Sequence, residues 1–106
     1  MFFELRQYTL WPGKQADFVK LMEEVIIPFQ TSVGMDIRGS WVAEEDETQF
    51  IWIRAFQSEE ERERLYAAVY DSDKWQNEVA PLLPDMMDRE HMTITRMLPT
   101  PRSAMQ

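Results

Sequence analysis

The stretch Gln49 to Phe56 (QFIWIRAF) constrains this chain more than any other. Side chains alternate across a strand, so Ile51, Ile53 and Ala55 point one way while Phe50, Trp52 and Phe56 point the other. Both faces are apolar. Such a strand needs cover on two sides, and the chain can provide only as much cover as it has helices.

The flanking pattern counts those helices. Residues 2–10 (FFELRQYTL) form a strand that stops at the Pro12-Gly13 turn. From Lys14 the period changes: Phe18, Leu21, Met22, Val25 and Phe29 fall at helical spacing, and Pro28 is expected to end or kink that helix near Ile27. Residues 34–44 lead into a second strand with a bulge at Gly39, and the acidic Glu44–Glu47 segment is its hairpin turn to the third. Ser58 with Glu61 has the spacing of a capping box, opening a helix to about Tyr70. Asp71-Ser72-Asp73 can cap a further helical piece with Trp75 and Val79, broken at Pro81 and Pro84. Residues 90–98 form a last strand and 99–106 an extended tail. The order β-α-β-β-α-β, in one domain spanning 1–106, predicts a ferredoxin-like α+β fold with an antiparallel sheet; another α+β topology is the rival.

Two helices of this length cover one face of a four-stranded sheet. A lone subunit would leave Phe50, Trp52, Phe56 and Trp41 in water, each worth about 1.5–3 kcal/mol once buried. Patches of that kind mark interfaces or pockets. The expected solution is an isologous homodimer, sheet face to sheet face about a two-fold axis. The alternative is a loop or the proline-rich tail folded beneath the sheet.

Composition narrows the function classes. A formal charge of −8 repels phosphate backbones and anionic lipid surfaces, so neither nucleic acid nor membrane is an expected partner. With no cysteine, thiolate catalysis and cysteine-ligated metal sites are excluded. No phosphate-cradling glycine loop can be built from Gly13, Gly34 and Gly39. No apolar run approaches membrane-span length, and the first residues lack a signal-peptide pattern, so a cytoplasmic location is expected.

Chemistry would have to come from the first and third strands. If Phe3 and Leu5 meet the helices, then Glu4, Arg6 and Tyr8 face the lumen between subunits, joined by Phe50, Trp52 and Arg54. Arginines there could hold an anionic or enolate oxygen, with Glu4 or Tyr8 moving a proton and Trp41, Phe50 and Trp52 forming the walls. The bland alternative is a buried Glu–Arg network whose charges satisfy one another. His91, the one histidine, would face the lumen rim with Thr93 and Thr95 if Met92 and Ile94 face the helices. It could line the site, act as a base or ligate haem, or it could be a surface residue. No metal and no cofactor is expected.

The ending of strand one (YTLWPGK, preceded by ELR), then FIWIRAF, then VYDSDKWQNE together resemble the NIPSNAP family along nearly the whole chain. Two departures stand out: Ser72-Asp73-Lys74-Trp75 where many members have Asp-Pro-x-Trp, and Ser40 where an aromatic often precedes the tryptophan. The resemblance implies a dimeric α/β-barrel with two sheets around a lumen. It places the chain near cofactor-independent monooxygenases, isomerases and haem enzymes. The expected function is therefore a homodimeric small-molecule-binding protein, of monooxygenase or isomerase type, acting on an aromatic or anionic metabolite. The alternative is a non-catalytic interaction or sensing module.

Overall fold

The computed structural model describes residues 1–106. Strands β1 (Phe2–Leu10), β2 (Asp36–Ala43), β3 (Asp46–Phe56) and β4 (Met87–Met97) form one antiparallel sheet in the order β2-β3-β1-β4. Helices α1 (Gln15–Leu21) and α2 (Ile27–Ser32) follow β1, and α3 (Glu59–Tyr70) follows β3. The class is α+β and ferredoxin-like, as the element order predicts. No helix is long and apolar enough to cross a membrane.

Local chemistry sets the boundaries. The helix after β1 does not stop at Pro28. A π-helical turn, Met22–Ile26, joins α1 to α2, and the Ile27 N–H donates to the Met22 carbonyl five residues back. Proline has no N–H to give and its ring crowds the preceding turn, and the wider π turn takes up that misfit. The same device recurs ahead of Pro81: Trp75–Val79 is π-helical, Ala80 N–H donates to Trp75, and a short 3₁₀ segment, Ala80–Asp85, follows. At the start of α3 the Ser58 hydroxyl accepts from Glu61 N–H at 3.1 Å. The Glu61 carboxylate accepts from Gln57 rather than Ser58, so the box closes one residue early. Ser72 caps the Trp75 piece. The hairpin turn tightens to Glu44-Glu45, and β4 starts at Met87, which is drawn into the core.

The strand faces are opposite to expectation. Phe18 meets Tyr8 and Phe50 at ring distances of 5.9 and 5.1 Å, so the Tyr8 and Phe50 side of the sheet is the helix side. Phe2, Glu4, Arg6, Tyr8 and Leu10 lie there with Phe50, Trp52, Arg54 and Phe56. Phe3, Leu5, Ile51, Ile53 and Ala55 occupy the open face. The grouping read from alternation is right and its phase is wrong. The larger aromatic set fills the deeper space under the helix stripes of Phe18, Met22, Ile26, Leu65 and Val69, where burial gains most. Met92 and Ile94 do share the helix side. The open face keeps Trp41, which is 47% exposed and folded across Gly39 at the expected bulge; a Cβ there would sit 2.6 Å from the indole.

The helix-side core is divided. One apolar cluster gathers Tyr8, Phe18, Met22, Phe50, Trp52 and their neighbours, and another gathers Phe2, Met35, Phe56, Leu65 and Val69. Between them along both strands lie Glu4, Arg6 and Arg54. At the end of α2 the chain turns through Gly34, whose φ of +107° is costly for any residue with a Cβ. Its added methyl would also press on Leu65 at 3.3 Å. Gly34→Ala is therefore expected to lower stability by about 1–2 kcal/mol, read as a lower urea midpoint with unchanged slope.

Candidate functional site

Register places Glu4 opposite Arg54 and Arg6 opposite Trp52 on neighbouring strands, all on the helix side. Arg54 is fully buried and its Nη2 donates to Glu4 Oε1 at 2.7 Å. Arg6 Nη1 donates to the same oxygen at 3.1 Å. Helix α3 brings Arg62, Tyr66 and Tyr70, spaced by four, onto one face above the pair. Tyr66 donates to Glu4 Oε2 at 2.5 Å and Arg62 Nε does so at 3.4 Å. From α2, Gln30 accepts from Arg54 Nη1 at 2.9 Å, as does the Tyr70 hydroxyl.

This environment fixes protonation. Burial alone would raise the Glu4 pKa. The Arg54 charge, hydrogen bonds from Tyr66 and Arg54, and the Arg6 charge outweigh it and hold the group at about 2. Glu4 is a locked carboxylate at neutral pH, with both oxygens accepting hydrogen bonds. Burial, then the hydrogen bond to Glu4, pushes Tyr66 up to about 12. Burial also raises Tyr8, so its phenol keeps its proton.

On the other side of Arg6 is a pocket of about 90 Å³ between the sheet and the first helix. Arg6, Tyr8 and Trp52 form its sheet wall, and Phe18, Met22 and Ile26 form its helix wall. Tyr70, Trp75, Leu83, Met87, Arg89 and Met92 complete it. Both π-helical turns contribute to the wall, through Met22 and Ile26 from the first and Trp75 from the second. Arg6 Nε donates to Tyr8 Oη at 2.8 Å, and its Nη2 has only the Met92 sulfur at 3.7 Å.

The structure thus brings Glu4, Arg6, Tyr8 and Arg54 together as read from the sequence, but beneath the helices and not in a lumen between sheets. Trp52 lines the pocket. Phe50 stands behind it, stacked on Tyr8 and edge-on to Phe18. Trp41 is on the opposite face. The His91 side chain is 72% exposed and pairs with Asp88, so it belongs to the surface. Alternation misses Gln30, Arg62, Tyr66, Tyr70 and Arg89. The 62-66-70 spacing was a readable signal, as was a glutamine continuing the Met22–Ile26 stripe, since a polar group in a core row needs a partner.

The ionised form of Glu4 is the one the fold favours, so its contribution is complete above about pH 4.5 and drains away as pH falls toward about 2. Urea unfolding between pH 7 and 2.5 should show this acid slope reduced in Glu4→Gln. At pH 7 that variant should lose about 3–5 kcal/mol, because Arg6 and Arg54 then lack their shared counter-charge. A variant as stable as the parent would refute the role given to Glu4.

The sequence model of the NIPSNAP family matches residues 3–103. No curated protein matches the chain at a significant level. Among solved structures, a protein of Agrobacterium tumefaciens is 25% identical with a TM-score of 0.88, each chain covered in full (100%). A NIPSNAP family protein of Agrobacterium tumefaciens strain C58 is 24% identical with a TM-score of 0.87, covering 99% of this chain and 98% of that one. An antibiotic biosynthesis monooxygenase shares the fold at 16% identity, with a TM-score of 0.70 over 95% of this chain and 100% of its own. With all but a few terminal residues inside the family's span, this chain belongs to the NIPSNAP family.

Proposed function

We propose that this chain is a homodimeric small-molecule-binding protein whose helix-side pocket takes an aromatic or anionic metabolite. The chemistry it favours is stabilisation of an oxyanion or enolate, the step shared by isomerase and monooxygenase reactions that need no metal. The observation that carries this reading is Arg6. Its guanidinium is anchored by Glu4 and Tyr8 on one side and presents Nη2 to an apolar pocket on the other. A donor held rigidly at the wall of a water-poor cavity is preorganised for developing negative charge. The fold likeness to an antibiotic biosynthesis monooxygenase is in keeping with this reading.

A second reading has its own observation. Glu4 is locked and His91 lies outside, so no carboxylate or imidazole is free in the pocket to take a proton. A non-catalytic sensing module would need only the binding half of the site. Ligand-dependent turnover distinguishes the two.

The dimer in this proposal uses the open sheet face. Trp41 is exposed there, and Leu5, Ile51 and Ile53 are only half-buried with no helix over them. Phe50, Trp52 and Phe56, expected to lie bare in a lone subunit, are covered by its own helices, so the proposed interface rests on Trp41, Leu5, Ile51 and Ile53 instead.

Two experiments test these statements. In light scattering the chain should have the mass of a dimer, and Ile53→Asp should yield a folded monomer; a monomeric parent at high concentration would sink the interface. In a thermal-shift screen of aromatic and anionic metabolites, a binder at about 100 times its Kd adds about 2.7 kcal/mol, a rise of several degrees for a domain of this size. Met22→Trp, which fills the pocket, should abolish the rise. Persistence of the rise in that variant would place binding elsewhere.

A further inference from the structure

Three features of the pocket converge on the charge of its ligand, given the small-molecule reading above. The first is an ionic imbalance. The buried charged groups are Glu4, Arg6 and Arg54, which puts two guanidiniums against a single carboxylate. Arg62 lies further out and shares Glu59 at the surface. A buried excess charge is costly unless something answers it.

The second feature is that the polar atoms in the pocket wall are donors. Arg6 Nη2 meets only a thioether, a weak acceptor. Tyr8 Oη accepts from Arg6 Nε, leaving its own proton to give. Tyr70 likewise accepts from Arg54 and retains its proton. A buried donor without an acceptor forfeits its hydration for nothing. The third feature is size: the cavity measures about 90 Å³, room for a small molecule.

We propose that the pocket recognises a compact monocarboxylate, with the carboxylate on Arg6 Nη2 and the Tyr8 hydroxyl, and a short apolar body among Phe18, Met22 and Leu83. The ligand's single negative charge balances the second guanidinium, and its oxygens supply the acceptors that the wall lacks. A neutral amide of the same shape brings fewer acceptor sites and no charge. A dicarboxylate brings a second charge, which among the lining side chains has only the exposed Arg89 to answer it.

The 106-residue chain is titrated with butyrate, butyramide and succinate, followed by the tryptophan indole N–H resonances and by thermal unfolding. Butyrate should shift the indole resonance that is missing in Trp52→Phe and should raise the unfolding midpoint. Butyramide and succinate should bind at least about tenfold more weakly. Arg6→Gln should reduce butyrate affinity by about the same factor while leaving butyramide unchanged. Equal binding of butyrate and butyramide overturns the monocarboxylate assignment and leaves the small-molecule reading in place. Silence toward all three probes and toward the neutral aromatics of the screen overturns both. If Arg6→Gln does not fold, the ranking of the probes on the unaltered chain decides.

Discussion

The carboxylate of Glu4 accepts from Arg6, Arg54, Tyr66 and Arg62, and these contacts tie α3 to strands β1 and β3 of the sheet. Its position explains why the core comes in two pieces. Along β1 the buried row reads Phe2, Glu4, Arg6, Tyr8, and along β3 it reads Phe56, Arg54, Trp52, Phe50. An ionic band therefore crosses the sheet between two apolar clusters. Such a band gains little net stability over a well-packed apolar one, since desolvation offsets most of the Coulomb attraction. Its consequence is geometric: α3 must dock with Tyr66 and Tyr70 over the arginines, or several buried donors go unanswered. Aromatic faces help it do so, with the Arg54 guanidinium 4.9 Å from the Trp52 ring and 5.1 Å from that of Tyr66.

What the sequence made legible follows from which signals are periodic. Alternation in QFIWIRAF and in FFELRQYTL grouped Glu4, Arg6, Tyr8, Trp52 and Arg54 on one face correctly, because a strand has only two. It could not say which face the helices cover. Both were apolar, and polar residues on one of them argued wrongly for the outside. The missing information was on α3, where Tyr66 and Tyr70 bring hydroxyls to the sheet. A charged row beneath a helix is admissible once that helix carries its partners. Pro28, expected to end or kink the helix near Ile27, interrupts it with a π turn without ending it. A proline ends an ideal α-helix, but Ile26 and Gln30 both have places in the core, and a π turn keeps the rod going at small cost.

Family membership and function rest on different residues here. The sheet order, the helix stripes and the turn glycine account for a fold shared with proteins at 16 to 25% identity, and likeness of that degree carries architecture alone. Arg6 joins the two levels, since one face of its guanidinium completes the structural band while the other is left to the cavity. Removing it would disturb both, which is why loss of binding in an Arg6 variant is informative only when neutral probes still bind. The two π turns reinforce the connection. Each precedes a proline, and each turns residues of its widened stretch toward the same cavity, Met22 and Ile26 from one side and Trp75 from the other. Backbone irregularities that a continuous helix would not need thus converge on one place, where the shape of a bound molecule would be decided by Trp75 and Met22 and its charge by Arg6.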